Sequence, residues 1–158
     1  MNRHSAYNLA KSFYFAFSGI FRSLKYERNL RIHFFAAAYI LYFSHYFGLS
    51  KAEYAVLIAA IGGVIVCELI NTAIEAAVDL NTLAYNVFAK TAKDAAAGAV
   101  LISSAISVII GLMFFWQPDT LREIWANIAA APFIWLFLIA ITLFLIAWPE
   151  HRRSTGDK

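Results

Sequence analysis

Hydrophobic and polar positions divide this chain into six stretches. Residues 7–25 alternate aromatic and polar side chains too often to cross a membrane. Wound as a helix, Asn8, Lys11, Ser18, Arg22 and Lys25 share an arc of about 100°, while Leu9, Phe13, Phe17, Ile20, Phe21 and Leu24 lie elsewhere. That pattern predicts an amphipathic helix lying on a membrane, with Phe15 an exception on the polar side. A charged collar follows at residues 26–31. Apolar runs then predict spans at about 32–47, 52–78 and 95–116. A further apolar run at 132–148 is 17 residues long, the short end of what crosses a bilayer. Trp135 and Trp148 near its ends suit the two interfaces.

Punctuation refines the boundaries. Ser50, with Glu53 three residues on, predicts a capping box for the second span. Ala59, Ala60, Gly62 and Gly63 predict close helix packing there. Residues 80–92 read as a loop, with Asp94 in the first turn of the next span, where a negative charge suits the helix N-terminus. Residues 119–131 predict a short surface helix capped by Asp119. His33 and His45 have no metal-spaced partner and read as interfacial residues.

Composition agrees with a membrane protein. The 158 residues are 61% hydrophobic and 15% charged, against roughly 45–50% and 25% in soluble domains. One domain is expected at this length, a core of 1–116 followed by an extension, 117–158, that ends in a basic tail. The single cysteine, Cys67, excludes an intrachain disulfide. No cleavable signal is visible. Six Lys and Arg precede the first span, two lie in 80–94 and three in the tail, against Lys51 and Arg122 elsewhere. The positive-inside rule therefore predicts both termini and the 80–94 segment in the cytoplasm.

The chemistry concentrates at the end of the second span. Glu68, Asn71, Glu75 and Asp79 fall within an arc of about 80° on one helix face. They form a column about 16 Å long at 1.5 Å per residue. An acid at the centre of a bilayer helix costs roughly 2.5–3.5 kcal/mol on insertion scales, which marks function. Carboxylates, an amide and Lys93 at a membrane–cytosol boundary suit Mg²⁺ and phosphate. Phosphoryl transfer needs chiefly positioning, charge neutralisation and a base. The chain has no P-loop and no protein-kinase motif set. By residue types alone, an ion-coupled transporter subunit remains open.

The motif Glu68-Leu-Ile-Asn71-Thr-Ala-Ile-Glu75-Ala-Ala-Val-Asp79, followed by Ala92-Lys93-Asp94, resembles the prokaryotic diacylglycerol kinase family. The collar Glu27-Arg28-Asn29-Leu30-Arg31-Ile32-His33 resembles its undecaprenol kinase branch. The likeness covers roughly residues 8–116. It implies an all-α integral membrane protein: an N-terminal surface helix and three core spans, here with a fourth C-terminal one. It further implies a homotrimer in the inner membrane of a bacterium, with its active site at the cytoplasmic face. The implied activity passes the γ-phosphate of ATP, with Mg²⁺, to a membrane lipid alcohol, undecaprenol or diacylglycerol. Residue by residue, Glu68 matches the catalytic base, and Glu27 and Glu75 the metal-binding carboxylates. Glu27, Glu75, Tyr85, Asn86, Lys93 and Asp94 match nucleotide-contacting positions. Glu68, Asn71, Ala97, Arg28 and Trp116 fall at lipid-substrate positions. The chain departs at Asn8, where some members carry an arginine, and at Phe15, where they carry a tyrosine. Lys11 beside Phe15 is the expected substitute grip on the nucleotide. A catalytically inactive scaffold of the same family is the non-enzymatic alternative. No nucleic-acid partner is expected.

Overall fold

The computed structural model describes residues 3–81 and 86–148, and these are helical apart from short connections. The order is α1 (Arg3–Tyr26), α2 (Arg28–Ser44), a 3₁₀ turn (His45–Phe47), α3 (Lys51–Asn81), α4 (Val87–Phe115), α5 (Pro118–Ala130) and α6 (Pro132–Ala147).

One residue separates α1 from α2. Glu27 is extended, at φ −105° and ψ 113°. Its N–H still donates to the Ser23 carbonyl at 2.7 Å, closing α1, and its own carbonyl accepts from the Arg31 N–H at 3.3 Å, opening α2. The next reversal uses Gly48, at φ 60°, a left-handed conformation that glycine adopts without penalty. The expected capping box then starts α3: the Ser50 N–H donates to Glu53 Oε2 at 2.7 Å, and the Glu53 N–H donates to Ser50 Oγ at 3.3 Å.

Among the described residues, two helices are long and apolar enough to cross a membrane, Lys51–Leu80 and Val87–Phe115. They pack as an antiparallel pair through small residues. Ser107 Oγ donates to the Ala60 carbonyl at 3.2 Å and to that of Ser103 at 3.0 Å. A methyl group at Gly63 would touch Ser103 Oγ at 3.5 Å, whereas one at Gly62 would meet nothing within 4 Å. Of the two glycines expected at the contact, Gly63 is at it. The small core lies among α2, α3 and α4, around Leu30, Ala37, Leu57, Val64 and Ala96.

Several boundaries differ from expectation. Most of residues 80–92 are helical. Asn86 caps α4 by accepting from the Phe88 and Ala89 N–H groups at 2.8 and 3.3 Å. Asp94 is therefore about two turns inside α4, and the helix-end argument made for it does not apply. Asp119 does not cap α5 either. The cap position is Gln117, Pro118 occupies the first turn, and Asp119 accepts from Arg122 Nη1 at 3.1 Å. Proline suits a first helical position because that N–H has no helical partner anyway. The first expected span is a 17-residue helix, Arg28–Ser44, extended by the 3₁₀ turn.

Beyond α4 the chain folds back. Ala131, preceding Pro132, sits at φ −136° and ψ 57°, out of the helical region that proline disfavours for its predecessor. The two helices there are bent by 94°. α6 then runs antiparallel along α2. Trp135 stacks on Phe43 at 5.5 Å between ring centroids. Thr142 Oγ1 and Tyr39 Oη share a hydrogen bond of 2.8 Å. Arg31 Nη2 donates to the carbonyls of Ile146 and Trp148 at 3.2 and 3.1 Å. Thr142 is the one polar side chain of α6, and α2 supplies its partner.

Candidate functional site

The acidic column is graded by burial. Glu68 is 3% exposed and Asn71 7%. Glu75 is half-buried and Asp79 exposed. The sequence period puts these four on one face; packing turns the deep end of that face inward. Among the described residues Glu68 has no hydrogen-bond or ion-pair partner. Asn71 Nδ2 donates to Glu75 Oε1 at 3.0 Å, and Asn71 Oδ1 is a buried acceptor with no partner. A buried polar atom left unpaired costs on the order of 1–3 kcal/mol. Asn71 Oδ1, one turn from the buried Glu68 carboxylate, marks a place where another molecule's donor belongs.

An apolar cavity ends on α3 at Val64 and Ile65, about one turn short of Glu68. Val64, one turn earlier on the same face, lines a groove of about 260 Å³ between α2, α3 and α4, with His33, Ala37, Leu57, Ser104 and Phe115. Its walls are almost wholly hydrocarbon, which suits an aliphatic chain rather than an ion.

Topology brings other expected residues to the same level. Ser44 Oγ and Tyr54 Oη lie 3.5 Å apart. Glu27 is about 26 Å along α2 from that point and Asn71 about 26 Å along α3, in the same direction. α1 touches α3 as well as α2. Counting from the Ser107–Ala60 contact, Lys93 and Asp94 are level with Glu75, and Ala97 with Glu68 and Asn71. Lys93 Nζ pairs with Asp79 Oδ1 at 2.5 Å. Both side chains are partly exposed, and such surface bridges are worth about 0–1 kcal/mol, so this one releases Lys93 at little cost. Asp94 and Ala97 are exposed, and so is Arg28 at the start of α2.

Other expected residues stand apart. Lys11 Nζ lies 5.8 Å from the centre of the Phe15 ring, and both side chains are exposed. They sit about 18–24 Å along α1 from Glu27. Asn86 is committed through its Oδ1 to capping α4. Trp116 ends α4 at the opposite side, about 26 Å along the helix axis from the level of Glu68. Tyr85 and the basic tail lie outside the described residues. Arg31, expected as one more surface charge of the collar, is 8% exposed. Nothing in its local sequence signals this, because its partners are backbone carbonyls of α1 and α6.

Among the described residues no group of three or more His, Cys, Asp or Glu stands ready for a metal. Mg²⁺ needs no such group: it commonly takes one or two carboxylates plus substrate phosphates. Glu75 fits such a role: one oxygen takes the Asn71 amide, and the other has no partner among the described residues. Glu27 is half-buried at the elbow on the same level.

A model of the family described as prokaryotic diacylglycerol kinase matches residues 14–115. A Bacillus subtilis protein named undecaprenol kinase is 43% identical over 114 residues, 72% of this chain and 93% of that protein. A Synechocystis protein named diacylglycerol kinase is 39% identical over 105 residues, 66% of this chain and 60% of that protein.

Proposed function

The chain belongs to the prokaryotic diacylglycerol kinase family and is a membrane lipid kinase, and on that premise we propose that it passes the γ-phosphate of ATP to a lipid alcohol. The observation that carries the reading is Glu68: a buried carboxylate with no partner among the described residues, one turn beyond Val64, where a hydrocarbon-lined groove ends on α3. The groove takes the aliphatic chain and delivers the hydroxyl to the acid.

In this mechanism Glu68 accepts the proton of the lipid hydroxyl. The alcohol oxygen forms a bond to the γ-phosphorus, and the bond to the bridging oxygen of ADP breaks. Burial excludes water, which would otherwise compete as acceptor. Asn71 holds Glu75 through its amide Nδ2. Glu75 and Glu27 would hold Mg²⁺, which neutralises phosphate charge. Lys93 leaves Asp79 for the phosphates, beside Asp94. Asn86, Tyr85, Lys11 and Phe15 complete the nucleotide grip, Phe15 by its ring face. Arg28 and Ala97 border the lipid headgroup. Trp116, at the far end of α4, belongs with the distal part of a long chain.

The collar and the 43% likeness to an undecaprenol kinase favour a polyprenol over diacylglycerol. We further propose that α1 lies on the cytoplasmic surface, that α2 and α6 span alongside α3 and α4, and that the chain assembles as a homotrimer with sites shared between subunits. The direct test offers purified protein Mg-ATP and a panel of lipid alcohols. Phosphate should appear on undecaprenol faster than on diacylglycerol. No ATP-dependent phosphate transfer to any lipid alcohol would sink the reading.

A further inference from the structure

Arg31 is a cation more than nine-tenths buried. Among the described residues no carboxylate pairs with it. Its guanidinium instead meets the ends of two helices. Nη1 donates to the Lys25 carbonyl in the last turn of α1, at 2.9 Å. Nη2 donates to the carbonyls of Ile146 and Trp148, where α6 ends, at 3.2 and 3.1 Å. The last carbonyls of a helix lack partners within it and carry the negative end of its dipole. A planar, permanently charged fork suits two such ends at once. A buried charge without partners is costly, so these carbonyls are what keep Arg31 inside.

The place of this contact matters. Glu27 lies between Lys25 and Arg31, in the single extended residue of the elbow. Arg31 grips the chain on both sides of it, through the Lys25 carbonyl and through its own N–H on the Glu27 carbonyl at 3.3 Å. Two of the three guanidinium bonds come from α6, which lies beyond the stretch shared with the family. The Tyr39–Thr142 bond and the Phe43–Trp135 stack keep α6 in register along α2.

We propose that α6 is a brace and Arg31 a positioning residue: together they hold the α1–α2 elbow at the angle that presents Glu27 to the metal–nucleotide site. The consequence for Glu27 rests on the kinase reading; the brace does not.

The test uses the full chain in lipid nanodiscs. Spin labels at Ser18→Cys and Leu41→Cys, in a Cys67→Ser background, report the distance across the elbow. The parent should give one narrow distribution. Arg31→Gln should broaden it. So should Trp135→Ala with Thr142→Val, which loosens α6 and leaves Arg31 in place, and which carries the test if Arg31→Gln fails to fold. Combining the changes should add little, because both act through one contact. Unchanged distributions overturn the brace.

The second readout is the Mg²⁺ concentration for half-maximal activity. Arg31→Gln should raise it about tenfold, the size expected for losing one or two charge-assisted hydrogen bonds. Turnover at saturating Mg²⁺ should stay within about threefold of the parent. Arg31→Lys, which keeps the charge but not the fork, should recover part of the shift. A broadened elbow with an unchanged Mg²⁺ titration overturns the positioning role. A parent with a narrow elbow and no kinase activity overturns the kinase reading and leaves the brace standing.

Discussion

Glu68→Gln separates chemistry from architecture. The substitution keeps size and shape and removes the ability to take a proton. Loss of a general base costs about 10²–10⁴-fold in rate. At 1.36 kcal/mol per decade, that is about 2.7–5.4 kcal/mol of lost transition-state stabilisation. Stability should move little, or upward. Glu68 is 3% exposed and has no partner among the described residues, so the fold gains nothing from its charge. Burying an ionised group without compensation costs several kcal/mol, and an amide costs less. Under the proposed mechanism nucleotide binding should also survive, because the phosphates would meet Glu75, two turns nearer the end of α3, and Lys93 of α4. The measurements are turnover on a lipid alcohol, thermal stability in detergent and Mg-ATP affinity, on one purified preparation. The expected set is a rate at or below one hundredth of the parent, an unchanged or higher melting temperature and unchanged ATP affinity. Near-parent turnover would falsify the base assignment. A rate loss accompanied by a lower melting temperature would mean that Glu68 is structural and the partnerless reading is mistaken.

Three further outcomes are expected. Glu27→Ala and Glu75→Ala should each raise the Mg²⁺ needed for activity or abolish activity; unchanged metal titrations in both would remove them from the metal site, since hard Mg²⁺ depends on such oxygens. Inactive Glu68→Gln chains mixed with inactive Glu27→Ala chains should recover part of the activity if subunits share sites, and well-mixed oligomers without recovery would locate each site in one chain. A cysteine replacing Ser154, in a Cys67→Ser background, should resist membrane-impermeant thiol reagents in intact cells and react after lysis; labelling before lysis would mean that the tail lies outside and that the positive-inside count misled.

Local periodicity determined much of this protein on its own. The face shared by Glu68, Asn71, Glu75 and Asp79 follows from 3.6 residues per turn. So do the apolar length of α3 and the reciprocal Ser50–Glu53 cap, because each depends on neighbours within one or two turns. The same locality explains the misjudged starts. Ala89, Lys90, Thr91 and Ala92 are mixed in polarity and read as loop, yet Asn86 begins the helix before them. Asp119 looked like a cap, but Pro118 had already taken the first helical position. What no local pattern contains is the partner of each face. A period shows that Glu68 and Asp79 point the same way; the packing of α2 and α4 on α3 buries the first and leaves the second exposed. The charge on Arg31 is plain in the sequence, but its burial is set by carbonyls six residues back and more than a hundred residues ahead. Backbone carbonyls carry no residue identity, so only the tertiary structure, by bringing the end of α6 to the elbow, decides that this arginine lies inside.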